Sequence, residues 1–129
     1  MLSSAARDVA RALSMLYHPL EAFCLDYDAM AGRLTATGIA LAVCTVYNGD
    51  FPEELAPPLK MGVSLFNDAT YPTANRIRAD VIELRSICTE SADYANPIEP
   101  SGPGGLKIAK AIAAWLRSSG AESTGDATT

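Results

Sequence analysis

The chain has 129 residues, 49% hydrophobic and 19% charged, with a formal net charge of -5 and a pI near 4.7. That length suits one domain with room for a core, and the acidic balance argues against a general affinity for nucleic acid or anionic membrane, which needs clustered Lys and Arg. No run approaches the roughly 18 apolar residues of a membrane span, and Arg7, Asp8 and Arg11 interrupt the N-terminal stretch, so no signal core is expected.

Val9, Leu13, Leu16 and Leu20 recur at helical intervals and predict an amphipathic helix over residues 4–17. His18 and Pro19 are expected to interrupt it, because a proline disfavours helical geometry in the residue before it. A second helix is then expected from Pro19, with Leu20, Phe23, Tyr27, Met30 and Leu34 along one stripe and a turn over residues 35–38. Residues 39–46, Ile-Ala-Leu-Ala-Val-Cys-Thr-Val, are apolar almost throughout and predict a strand buried on both faces. A loop with three prolines over 51–58 leads to a helix on Leu59, Val63 and Phe66, which Pro72 should end or kink near Tyr71. A further turn over 73–79 leads into a short apolar strand at 81–84.

Beyond that strand Pro97, Pro100 and Pro103 lack backbone donors and Gly102, Gly104 and Gly105 relax the backbone, so a loop is expected up to a last helix with apolar residues at helical spacing over 106–116. Residues 118–129 are small and polar and read as a flexible tail. Glu90, Asp93, Asn96 and Glu99 therefore sit on a loop leaving the carboxyl end of a strand, where open α/β sheets bind ligands.

The runs Val-Ile-Glu-Leu-Arg at 81–85, Asp-Tyr-Ala-Asn-Pro-Ile-Glu-Pro-Ser at 93–101 and Gly-Gly-Leu-Lys-Ile-Ala at 104–109 resemble the last block of the SGNH (GDSL) hydrolases. Upstream, Ala-Val-Cys-Thr-Val-Tyr-Asn-Gly at 42–49 and Phe66-Asn67-Asp68 are similar to the strand and helix before that block. The resemblance implies an α/β fold, a partial flavodoxin-like (SGNH-type) parallel sheet flanked by helices, forming an incomplete domain over 1–117 with the tail after it. It implies acyl esters as substrates, cleaved by a serine nucleophile activated by a base that an acid orients. The Gly-Asp-Ser block and the block with the oxyanion Asn are missing. At the last block's Asp-x-x-His spacing stand Asn96-Pro97-Ile98-Glu99, so Asn would replace the carboxylate and Glu the imidazole. Asp93, Asn96 and Glu99 are thus the candidate catalytic residues, against plain readings of Glu99 as a hydrogen-bonded loop acid and Asp93 as a turn former or cap.

Other residues point to structure. His18 reads as a cap or an exposed polar residue, Ser101 only superficially suggests a phosphate-cradling loop, and Lys107, Lys110 and Arg117 read as one solvated helix face. Asn48 and Gly49 read as a turn that could border a cleft, and Trp115 as core or interface. Cys24, Cys44 and Cys88 are odd in number and unpaired in spacing, so reduced thiols and a cytoplasmic location are expected, with no metal and no cofactor. Two strands alone make a poorly sheltered sheet, so a homo-oligomer through the open sheet edge is expected. The two functions that follow are an ester-hydrolase-related domain without its nucleophile block and a non-catalytic interaction or oligomerisation module derived from that fold.

Overall fold

Three helices carry most of the chain in a computed structural model that describes residues 1 and 3–125, with side chains through 120. Helix α1 spans Ser4–Thr35, α2 Ala56–Ile77 and α3 Gly102–Gly125. Between them lie strands β1 (Ala42–Cys44) and β2 (Asp80–Ile82), two 3-10 turns at Leu84–Ser86 and Ser91–Asp93, and the hairpin strands β3 (Tyr94–Asn96) and β4 (Glu99–Pro100). The four strands form two separate two-stranded sheets.

The expected flavodoxin-like parallel sheet is therefore corrected to a mostly helical chain. β1 and β2 do run parallel, with Val43 opposite Val81, but each is three residues long and neither has a second neighbour among the described residues. The ladder stops for a local reason. After Thr45 donates its N–H to Ile82 O at 3.1 Å, the next residue, Val46, has both backbone groups taken by one side chain. Asn67 on α2 accepts from Val46 N and donates to Val46 O, each at 2.7 Å, and so stands where a further strand would have paired. The strand pair is a clasp between helices and not a core sheet; the expected strand at 81–84 likewise ends at Ile82, and Leu84 buries itself in the first 3-10 turn.

Neither interior proline breaks its helix. Pro19 lies within α1 and Pro72 within α2, although each ring removes one intrahelical hydrogen bond. For Pro19 the freed carbonyl is that of Met15, on a stretch whose side chains from 7 to 19 are all exposed, where water can replace the lost bond. The start of α1 is fixed by Ser3, whose hydroxyl accepts from Ala6 N at 3.2 Å. Pro57 and Pro58 open α2, in a first turn that needs no intrahelical donor. Arg78 closes it in the left-handed region at φ 57°, its N–H reaching Ala74 O and Asn75 O. Glycine holds that conformation without a Cβ penalty, so Arg78→Gly is expected to raise stability by about 1 kcal/mol, read as a melting temperature higher by about 4 °C.

The second half of α1 packs along α2 in parallel. The Phe23 and Phe66 rings meet edge to face with centroids 5.2 Å apart, and Ala31 and Ala74 are fully buried. Asp28 accepts from Thr73 Oγ1 at 2.6 Å and from Arg76 Nη2 at 2.7 Å. The first half of α1 touches little: Val9 and Leu13 remain 59% and 57% exposed. On α3, Trp115 Nε1 donates to Asp80 Oδ2 at 2.7 Å and ties the helix to the start of β2. Within the stretch expected to be a tail, 118–125 continue α3, and 126–129 lie outside the described residues.

Candidate functional site

The loops that follow β1 and β2 leave the same end of the clasp, and the hairpin β3–β4 folds against them. Asp50 N donates to Pro97 O at 3.0 Å, Tyr47 OH to Ile98 O at 2.8 Å and Ser91 Oγ to Asp50 Oδ1 at 3.0 Å. The approach is close at Gly49, which has φ 79°; a Cβ there would stand 2.5 Å from Pro97 O. Only glycine fits both the backbone angle and the gap.

Two ionic networks hold these loops. In the first, the Glu83 carboxylate accepts from Thr45 Oγ1 at 2.7 Å, from the Tyr71 hydroxyl, and from Arg85 Nε and Nη2 at 2.7 and 2.6 Å. The Arg85 guanidinium, helped by the two hydroxyls, holds this carboxyl far below the usual carboxylate range despite partial burial. Thr45 is buried, and its hydroxyl also accepts from Leu84 N at 2.9 Å, so one side chain joins both loops.

In the second network Asp93 is 1% exposed. One of its oxygens accepts from Thr89 N and Glu90 N, each at 3.0 Å, and the other from Lys107 Nζ at 2.7 Å. The lysine above all, and then those amides, lower its pKa, while Asp93 and Glu90 push the Lys107 ammonium up to about 12. Lys107 is therefore committed to this network, a correction to its reading as part of a solvated helix face. Ser101 is no phosphate cradle either: its N–H reaches Asp93 O at 2.8 Å, its hydroxyl accepts from Gly104 N at 3.2 Å, and it caps α3.

The structure brings two of the three candidate residues together. Asn96 Oδ1 accepts from Ile98 N and Glu99 N, each at 3.0 Å, which turns its Nδ2 toward Glu99 Oε2 at 2.5 Å. Asn96 thereby builds the hairpin turn from its own side chain and orients an exposed carboxylate. Asp93 is apart from this pair, buried and spent on Lys107 and backbone donors. His18 is remote from all three, 83% exposed on α1 and 4.0 Å from Glu21.

Beside the hairpin lies a polar cleft of about 250 Å³, bordered by Asn48, Lys60, Arg85, Cys88, Ser91 and Tyr94. Asn48 Oδ1 is buried there and accepts no hydrogen bond. The nucleophiles on offer are poor. Cys88 is 3% exposed and burial pushes its thiol up, away from the reactive thiolate, and Ser91 bonds a carboxylate with no imidazole beside it. Among the described residues no group of three or more His, Cys, Asp or Glu could hold a metal ion, and no helix is long and apolar enough to cross a membrane.

Sequence reasoning passed over Thr45, Asn67 and Glu83, which organise the loops. Asn67 is a polar residue one helical step after Phe66 and one before Asp68, and only its burial at 1% exposure sets it apart. Comparison with protein-family models, with curated proteins and with solved structures finds no match.

Proposed function

We propose that this chain is an SGNH-hydrolase-related module that works through association with a partner surface and turns over no ester by itself. The observation that carries this reading is surface. Along α1 large apolar side chains stand in solvent, with Val9, Leu13, Met15 and Leu25 59%, 57%, 75% and 67% exposed. The open edge of β1 adds only a three-residue strand to this, so the helical face is the larger source of association energy. The free thiols Cys24, Cys44 and Cys88 suit a cytoplasmic setting.

Sedimentation velocity of the full chain at micromolar concentration tests the reading. A discrete associated species is expected, and a stable monomer across that range overturns it. A second reading, hydrolysis of a small acyl ester, is favoured by the Asn96–Glu99 pair on the hairpin whose Tyr94 borders the polar cleft, with Glu99 acting as base. It expects turnover of p-nitrophenyl acetate that a serine-directed inhibitor or Glu99→Gln abolishes. Rates equal to buffer remove it and leave the association reading in place.

A further inference from the structure

We infer that Asn67 is an edge stop: its carboxamide takes the place of a neighbouring strand's peptide group at Val46, and so leaves the open side of β1 too short for a second copy of this chain to pair with it. The inference is independent of the association reading above, which uses the exposed arm of α1 over residues 7–19.

The need for a stop lies in the segment itself. Residues 39–46 hold no charge, no proline and no glycine, and their Ile, Val and Thr side chains favour extended backbone. Such a stretch on an exposed edge is a template for edge-to-edge pairing, which proteins ordinarily blunt with a charge, a proline or a bulge. The register of β1 with β2 has no bulge either. Ile39 and Val46 stand 69% and 51% exposed, and Cys44 is exposed as well.

Register decides how much of that edge is usable. Leu41 O accepts from Asp80 N at 3.0 Å and Thr45 N donates to Ile82 O at 3.1 Å, so the odd-numbered residues turn their backbone groups to β2. Ala42, Cys44 and Val46 turn theirs to the other side, where no second strand lies among the described residues. At Val46 that place is filled. Asn67 Oδ1 accepts from Val46 N and Asn67 Nδ2 donates to Val46 O, each at 2.7 Å, the two bonds that a strand would make with that residue. A carboxamide carries acceptor and donor on one planar group, as a peptide does. Asn67 is 1% exposed on α2, so water does not compete for either bond. Ala42 and Cys44 are what remains of the edge within β1, against the roughly five or six residues of an ordinary strand.

The wild-type chain supplies the first test. In amide hydrogen exchange corrected for intrinsic rates, Val46 N–H is expected to exchange about tenfold more slowly than Cys44 N–H, the factor that one hydrogen bond gives at the upper end of its net strength. Equal rates overturn the inference, because Asn67 then does not hold Val46 or a strand already covers Cys44. The second test frees the edge. Asn67→Leu keeps the size of the side chain and removes both bonds, and is expected to form β-paired, thioflavin-binding assemblies on standing that the wild type does not form. Adding Val46→Pro, which deletes the freed donor, is expected to abolish them. Thr73→Ala is the control, since it removes the bond to Asp28 from the same helix and leaves Val46 untouched. Assembly caused by loss of fold alone would persist in the double variant or arise equally in Thr73→Ala. Either result overturns the inference, as does an Asn67→Leu chain that stays free of β-paired assembly.

Discussion

Gly104→Ala lowers the stability of this chain, against the usual sign of such a change inside a helix. Replacing a helix-interior glycine by alanine ordinarily gains about 1 kcal/mol. At this position, however, a Cβ would lie 2.0 Å from Asp93 O, 2.8 Å from its carbonyl carbon and 3.1 Å from its Cα. These are backbone atoms, and they are held in place. Asp93 O accepts from Ser101 N, while the Asp93 side chain grips Thr89 N, Glu90 N and Lys107. The start of α3 must therefore move off the 3-10 turn beneath it, and the cost of about 3 kcal/mol exceeds the propensity gain. Gly105→Ala is the control, because nothing stands within 4 Å of its Cβ. Urea denaturation should show the midpoint falling for the first variant and holding or rising for the second. Equal midpoints would mean that α3 does not sit on Asp93 as described.

Loss of the Glu83 carboxylate has the other large effect. Glu83→Ala strands the Arg85 guanidinium and the hydroxyls of Thr45 and Tyr71, which all converge on it. Removing one partner of a buried ion pair costs 3–5 kcal/mol; the Glu83 and Arg85 side chains are 29% and 28% exposed, so the low end, about 3 kcal/mol, applies. Glu83→Gln keeps an acceptor for Thr45 and should cost less. The same carboxylate sets a pH dependence. Its pKa in the folded chain lies below the unfolded value of about 4.3. The unfolded state therefore takes up the proton first as pH falls, and stability that is complete above the unfolded value drains away below it. Asp93 and Asp28, also lowered, act in the same sense. Urea midpoints measured between pH 3 and pH 7 should fall on the acid side for the wild type and fall less steeply for Glu83→Gln. A Glu83→Gln profile as steep as that of the wild type would assign the acid lability to other groups.

Much of the local structure is legible in the residues. The apolar stripes of α1 and α2, the apolar start of α3 and the turn at residues 35–38 follow from spacing alone. So does the tight loop at Gly49, where a turn was expected and a positive φ is found. Two of the misjudged places share one physical feature, a backbone hydrogen bond replaced by a partner from outside the element. Asn67 takes the hydrogen bonds that would have extended β1, and water around the exposed arm tolerates Pro19. Neither event leaves a trace in hydrophobic periodicity. The candidate site was legible only in part: Asn96 and Glu99 do meet, but Asp93, close by in sequence, is buried and paired with Lys107.

The amino-acid sequence by itself determined which stretches carry apolar residues at helical spacing, how acidic the chain is, and that a loop rich in carboxylates lies between the last short apolar run and the last helix. Those properties depend on neighbours within a turn or two, so spacing and composition suffice. Only the tertiary structure decided which of those carboxylates are buried and paired and which is presented to solvent. It also decided that two apolar runs make a three-residue clasp and that half of α1 projects unsupported. These outcomes depend on contacts between residues many turns apart in the chain, such as Lys107 with Asp93, Arg76 with Asp28 and Val43 with Val81, where the competition between backbone, side chain and water is settled by packing.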